Sequence, residues 1–186
     1  MCGVAGFLDS KQGHTKEQNL SILLDMTHEL KQRGPDSFGV WSDNQAQVFL
    51  GHRRLSIIDL SERGAQPMIS SSARYTITYN GEIFNAPELR EDLKKHGMSF
   101  KGHSDTEVIL AACEVWGIQN ACNKFNGMFA FALWDSLEKR LFLVRDRIGV
   151  KPLYWGIQNG ILFFASQLKS FLKHPKFQPK VSLDAL

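Results

Sequence analysis

Gly127–Val144 reads GMFAFALWDSLEKRLFLV. Met128–Trp134 and Leu141–Val144 are apolar runs of strand length, separated only by the polar turn Asp135-Ser136-Leu137-Glu138-Lys139. A parallel crossover takes roughly a dozen residues or more, so strands this close in sequence pair antiparallel. A half-solvated antiparallel strand alternates apolar with polar residues, whereas these runs are apolar on both faces. Ile161–Ala165 is a third run of the same kind. A sheet covered twice needs a second sheet on one side and helices on the other. The pattern predicts an α+β fold, a layered sandwich, with no internal repeat, low-complexity tract or linker.

Outward from that stretch, residues 3–8 form a short glycine-containing apolar run, a strand that begins almost at the chain start. Leu20, Leu23, Leu24, Thr27 and Leu30 recur at helical spacing between Thr15 and Lys31, and Arg33-Gly34-Pro35-Asp36 ends that pattern. Strand-like segments follow at 39–42, 47–50 and 75–79. A helix is expected near Asn85, whose side chain can cap it with Glu88 three residues on. Another opens at Ser104 or Asp105, apolar nearly all round and therefore buried. Ser166-Gln167-Leu168-Lys169 is expected to open a terminal helix.

The 186 residues are 43% hydrophobic, enough for one domain with a substantial core. The formal charge of +3 is spread among acidic residues, without the basic stripe that nucleic acid requires. Neither a bilayer-spanning run nor a secretory leader is legible, so no membrane association and a cytoplasmic location are expected. Cys2, Cys113 and Cys122 are too few for a disulfide scaffold, and reduced thiols are expected. The histidines show no metal-binding spacing, and no metal site is expected. Gly97–Ser104 (GMSFKGHS) has the glycine spacing of a phosphate loop but carries His103 in place of the lysine.

Cys2 is followed by Gly3, and two small residues suit removal of Met1. Cys2 would then carry a thiol and a free α-amine, which titrate near ~8.5 and ~7.7–8.0 in free peptides, so the amine can serve as base for the thiol. The alternative is an inert structural cysteine. Amide cleavage also needs donors aimed at a tetrahedral oxyanion. Asn80-Gly81-Glu82, entered from the strand-like Tyr75–Tyr79, offers an amide and a backbone N–H, although Asn-Gly alone is more often a hairpin turn. Here Glu82–Asn85 leads towards a helix rather than a returning strand.

With these residues stand further blocks: CGVAGFLD from Cys2, RGPD from Arg33, HRRLSIIDL from His52, AQP from Ala65, NGEIFN from Asn80 and SDTEVI from Ser104. GMFAFALWD from Gly127, RDRIGVKPLYW from Arg145 and ASQLKSF from Ala165 complete the set. In this order they resemble the class II glutamine amidotransferases of the N-terminal-nucleophile hydrolase superfamily, and most closely those of glutamine-using asparagine synthetases. The likeness covers residues 2 to about 175.

The resemblance implies a four-layer αββα sandwich and a glutaminase domain over 2–186. Cys2 matches the nucleophile, and the Asn80 side chain with the Gly81 N–H matches the oxyanion hole. Arg54 matches the grip on the substrate carboxylate, and Glu82 and Asp105 match contacts to its ammonium. Leu55, Ser56, Ile57 and Ile58 match the backbone lining of the pocket. Taken singly, Arg54 reads more readily as a surface ion-pair residue, Asp105 as a helix cap and Glu82 as a turn acid; jointly, in this order, the resemblance outweighs those readings. The expected substrate is L-glutamine, with ammonia passed to an ATP-dependent synthetase domain in the same polypeptide or a partner chain. No cofactor is expected in this domain, ATP and Mg belonging to the synthetase part, and the resemblance admits a homodimer. Gln32 and Gln167 depart from the family's usual histidine and glutamate. A catalytically silent docking domain and an amide hydrolase of other specificity are the rival readings.

Overall fold

The computed structural model describes residues 1–11, 13–56 and 62–180. The chain passes through β1 (Gly3–Asp9), α1 (Lys16–His28), β2 (Ser37–Asp43), β3 (Val48–Arg54), β4 (Met68–Ile69), β5 (Tyr75–Ile83), α2 (Ala86–Lys95), α3 (Asp105–Trp116), α4 (Ile118–Lys124), β6 (Gly127–Asp135), β7 (Arg140–Arg145), β8 (Tyr154–Gln158) and β9 (Ile161–Ala165). A 3-10 turn over Leu168–Lys173 stands where a terminal helix was expected. All strand pairs are antiparallel, in sheets of order β2-β3-β1-β9-β8 and β4-β5-β6-β7.

Side-chain alternation explains why the sequence runs looked uniformly apolar. Phe7, Phe49, Phe163 and Ala165 point outward to Leu23, Met26 and Leu30 of the α1 region. Their neighbours Val48, Leu50 and Phe164 point inward, to Ala132 and Trp134 of the second sheet. On β6 the other set, Phe129, Phe131 and Leu133, packs beneath α2, α3 and α4 with Val108, Ile109 and Ala112. The layers are therefore helix, sheet, sheet, helices, as expected. Packing requires Gly51 to lack a side chain, since a Cβ there would lie 2.1 Å from Thr27 Oγ1.

Several local expectations need correction. The α1 face is rotated by a residue from the one expected: Asn19, Ile22, Leu23, Met26 and Thr27 are buried, while Leu20 and Leu24 are half-buried. Thr15 closes α1 with a capping box to Gln18. Asn85 makes no side-chain cap to α2; its amide donates to Lys124 O at 2.9 Å and its oxygen accepts from Asn126 N at 2.9 Å. β7, an edge strand with exposed ends, is covered on both faces but only partly: Phe142 and Val144 meet the helix-side core, Leu141 and Leu143 the core between the sheets. Asn80 and Gly81 lie within β5 rather than after it, opposite Ala130 and Phe129 of β6. The near-miss phosphate loop is filled by the protein itself, as Glu107 accepts from the N–H groups of Lys101 and Gly102 at 3.0 and 2.8 Å.

Candidate active site

Cys2 immediately precedes β1, a strand held between β3 and β9, so pairing of that strand fixes where the thiol stands. Gly3 lies opposite Arg53, next to the end of β3. The Leu55 N–H donates to Cys2 Sγ at 3.4 Å and the thiol reaches Leu55 O at 3.7 Å. Arg33, in the turn after α1, donates from Nε to Cys2 O at 2.9 Å. Burial lowers its guanidinium from the ordinary value, and the nearby Cys2 sulfur opposes that shift. The turn is pinned on β3: Arg53 Nε donates to Gly34 O at 2.8 Å, and a Cβ on Gly34 would lie 2.4 Å from the Arg53 backbone. Asp36 of the same turn accepts from Ser56 N at 2.7 Å.

The facing sheet supplies β5. Asn80 is 2% exposed, and its Nδ2 has no hydrogen-bond partner among the described residues. A buried, unsatisfied amide donor is rare enough to need a reason. Gly81 is required by packing as well as by chemistry, since a Cβ there would meet Met128 O at 2.4 Å. Two bonds tie the sheets together beneath these residues: Thr78 Oγ1 donates to Gly51 O at 3.0 Å, and His52 Nε2 lies 3.0 Å from Tyr79 O. Burial pushes His52 down to about 4. Its ring is neutral near pH 7, so Nε2 carries the proton bonded to Tyr79 O and Nδ1 is left as an unpartnered acceptor.

Asp105 opens α3 behind the Ser104 cap. Its Oδ2 accepts from the Tyr79 hydroxyl at 2.6 Å and from Ile83 N at 3.0 Å. Burial raises the carboxyl above its usual range, against the lowering effect of these bonds. The Tyr79 phenol is raised well above its ordinary value by burial and by Asp105.

Cys2, Arg54, Leu55, Ser56, Asn80, Gly81, Glu82 and Asp105 all line one pocket of about 300 Å³. Ile57 and Ile58, assigned to the same lining from sequence, lie outside the described residues. Sequence reasoning missed Met1, His52, Gly64, Gln66, Tyr79 and Lys151, which line the pocket too. Gln66 accepts from Tyr79 N at 2.6 Å, so the AQP block holds β5. The other thiols are unsuited to nucleophilic work: burial raises Cys113 strongly and pushes Cys122 up to about 11. Among the described residues no cluster of His, Cys, Asp and Glu could hold a metal ion.

A thiol at the head of a central strand thus shares one pocket with an orphaned amide from the facing sheet. The chain belongs to the glutamine amidotransferase domain family, whose model matches residues 1–186. Asparagine synthetase [glutamine-hydrolyzing] 3 of Bacillus subtilis is 38% identical, over 100% of this chain and 30% of that protein. Amidase chry2 of Gibberella zeae is 34% identical, over 92% of this chain and 26% of that protein. The chain thus spans about a third of the length of these curated relatives. Among solved structures, the glutamine phosphoribosylpyrophosphate amidotransferase of B. subtilis superposes with a TM-score of 0.76 at 22% identity, covering 91% of this chain and 43% of that one. That likeness is one of fold.

Proposed function

We propose that this chain is the glutaminase unit, residues 2–186, of an amidotransferase, and that it hydrolyses L-glutamine to L-glutamate and ammonia through Cys2. The observation that carries this is the unpartnered Asn80 Nδ2, a buried donor in the same pocket as the Cys2 thiol. Left without an acceptor in the resting protein, it is ready for an oxygen that acquires charge only during reaction.

With Met1 removed, the α-amine of Cys2 takes the thiol proton as sulfur attacks the side-chain carbonyl. The oxyanion is held by Asn80 Nδ2 and the Gly81 N–H. Collapse expels ammonia, which receives the proton from the amine, and water then cleaves the γ-glutamyl thioester to release glutamate. Arg54 takes the substrate carboxylate, and Glu82 and Asp105 take its ammonium, matching a zwitterion at one end of the pocket. These steps call on no cofactor or metal in this unit.

The cited relatives are between three and four times as long, and one of them is named for glutamine-hydrolysing asparagine synthesis, which supports an ATP- and Mg-using synthetase module as the consumer of ammonia. That module belongs to the same polypeptide or to a partner chain, in the cytoplasm, and aspartate is the first acceptor to try. No helix among the described residues is long and apolar enough to cross a membrane.

The test is release of ammonia and glutamate by the purified chain with and without ATP and aspartate. Both products should form without ATP, and no asparagine should appear. Cys2→Ala should abolish release, while Cys113→Ala and Cys122→Ala retain it. Inactivity of folded protein that begins at Cys2 would overturn the assignment in favour of a silent docking domain.

A further inference from the structure

With Met1 in place Lys151 is 7% exposed, yet no carboxylate of the described residues forms an ion pair with it. A buried ammonium without a counter-charge is costly and calls for a reason. Its backbone is fixed at both ends: the N–H donates to Asp146 Oδ2 at 2.9 Å, and the carbonyl accepts from Arg145 Nε at 2.7 Å. The side chain lines the pocket that holds Cys2, with Nζ 3.7 Å from Met1 Sδ. Arg33 converges on the same spot, with Nη2 4.0 Å from Met1 Sδ and Nε on Cys2 O. Two cations therefore converge on the Met1 side chain beside Cys2, and Arg33 also holds the Cys2 carbonyl.

We propose that Lys151, with Arg33, keeps the freed α-amine of Cys2 in its unprotonated, base-competent form. The inference rests on the hydrolase reading and adds to it a positioning role for two residues that touch no reacting atom. Like charges disfavour a third positive charge beside them, and the effect is stronger where water is excluded. The remaining charged and titratable groups do not cancel the pair. Arg54 at the end of β3 adds a further cation, while His52 and Tyr79 are neutral. The acids nearby are Glu82 on β5, Asp105 on α3, Asp36 and Asp146. Asp36 and Asp146 accept from backbone N–H groups, and Asp105, its carboxyl raised by burial, accepts from the Tyr79 hydroxyl and Ile83 N. Gln167, sharing a cleft with Arg33, is an uncharged amide whose Oε1 has no partner.

The experiment compares the wild type with Lys151→Met and Lys151→Arg, each confirmed by mass to begin at Cys2. It reads kcat/KM for glutamine from pH 5.5 to 9.5 and titrates the α-amine by ¹⁵N resonance in cysteine-labelled protein. Lys151→Met should move the acid limb and the amine titration upward together, by about one pH unit, lowering kcat/KM near pH 6 about tenfold. Activity near pH 9 should stay within about twofold, and Lys151→Arg should restore the profile. Arg33→Gln should shift the amine the same way and serves if Lys151→Met does not fold. An unmoved amine in folded variants overturns the inference alone. If the wild type fails to turn over glutamine, the hydrolase reading falls and the ¹⁵N titration still decides the role of Lys151. A native chain that keeps Met1 overturns both.

Discussion

At the scale of single residues, the proposed reaction separates groups that would act on the reacting amide from groups that would hold the rest of the substrate. Asn80 offers a donor that nothing in the resting protein uses. Asn80→Ala should therefore lower kcat by roughly 10²- to 10³-fold with little change in KM. Arg54→Ala should mainly raise KM, because a carboxylate grip acts equally in ground and transition states. Steady-state kinetics on folded variants will decide, and the opposite split would exchange the two roles. Cys2, Arg54, Asn80, Gly81, Glu82 and Asp105 were legible because each sits in a local sequence block with a chemical reason for its residue type. His52 and Lys151 were not. Their significance arises from a carbonyl on another sheet and from the absence of an acid, and neither is written in the neighbouring sequence.

Among the elements, strands with two buried faces were readable, as were the edge strands β2 and β7, while the edge strands β4 and β8 were not. β6 was legible because Phe129, Phe131 and Leu133 meet helices while Ala130, Ala132 and Trp134 meet the other sheet. β8 escaped notice because it is an edge strand with Trp155 and Ile157 exposed, and α4 because seven residues are too few to display a helical period. Asn85 failed as a local cap because Lys124 and Asn126, distant in sequence, offered it partners. The strand through Asn80 is the instructive case. Asn-Gly suggests a turn by propensity, but pairing with β6 carries the chain straight through it. Gly81→Ala is a clean probe of that geometry, because β6 leaves no room for a methyl group. It should destabilise the chain by about 1–3 kcal/mol, as overpacking does. Denaturant unfolding measures this, and an unchanged midpoint would show that β5 and β6 can separate there.

Across the whole molecule, two buried histidines make stability depend on pH. His52 and His174 are each pushed down to about 4 by burial, from an ordinary 6.5. His174 sits edge-on to Phe7 and Phe163, with ring centroids 4.8 and 4.9 Å away. Between those limits the unfolded chain binds more protons than the folded one, so the folded state loses stability as pH falls from about 6.5 to 4. Above 6.5 both states hold the rings neutral and the contribution is complete. Melting temperature should fall across that window, and His174→Gln should flatten part of the fall. A slope unaffected by the substitution would assign the acid sensitivity to other groups. The long reach of the central strand has a consequence of its own. Val4 N donates to Ser166 Oγ across a separation of 162 positions, because β1 is completed only by β9. A ribosome adds ~5–20 residues per second, so the first strand waits on the order of ten seconds for its last neighbour. During that interval the amino-terminal peptide bond has no sheet closed over it, and an aminopeptidase working on the nascent chain meets an open thread where the finished protein presents a seam.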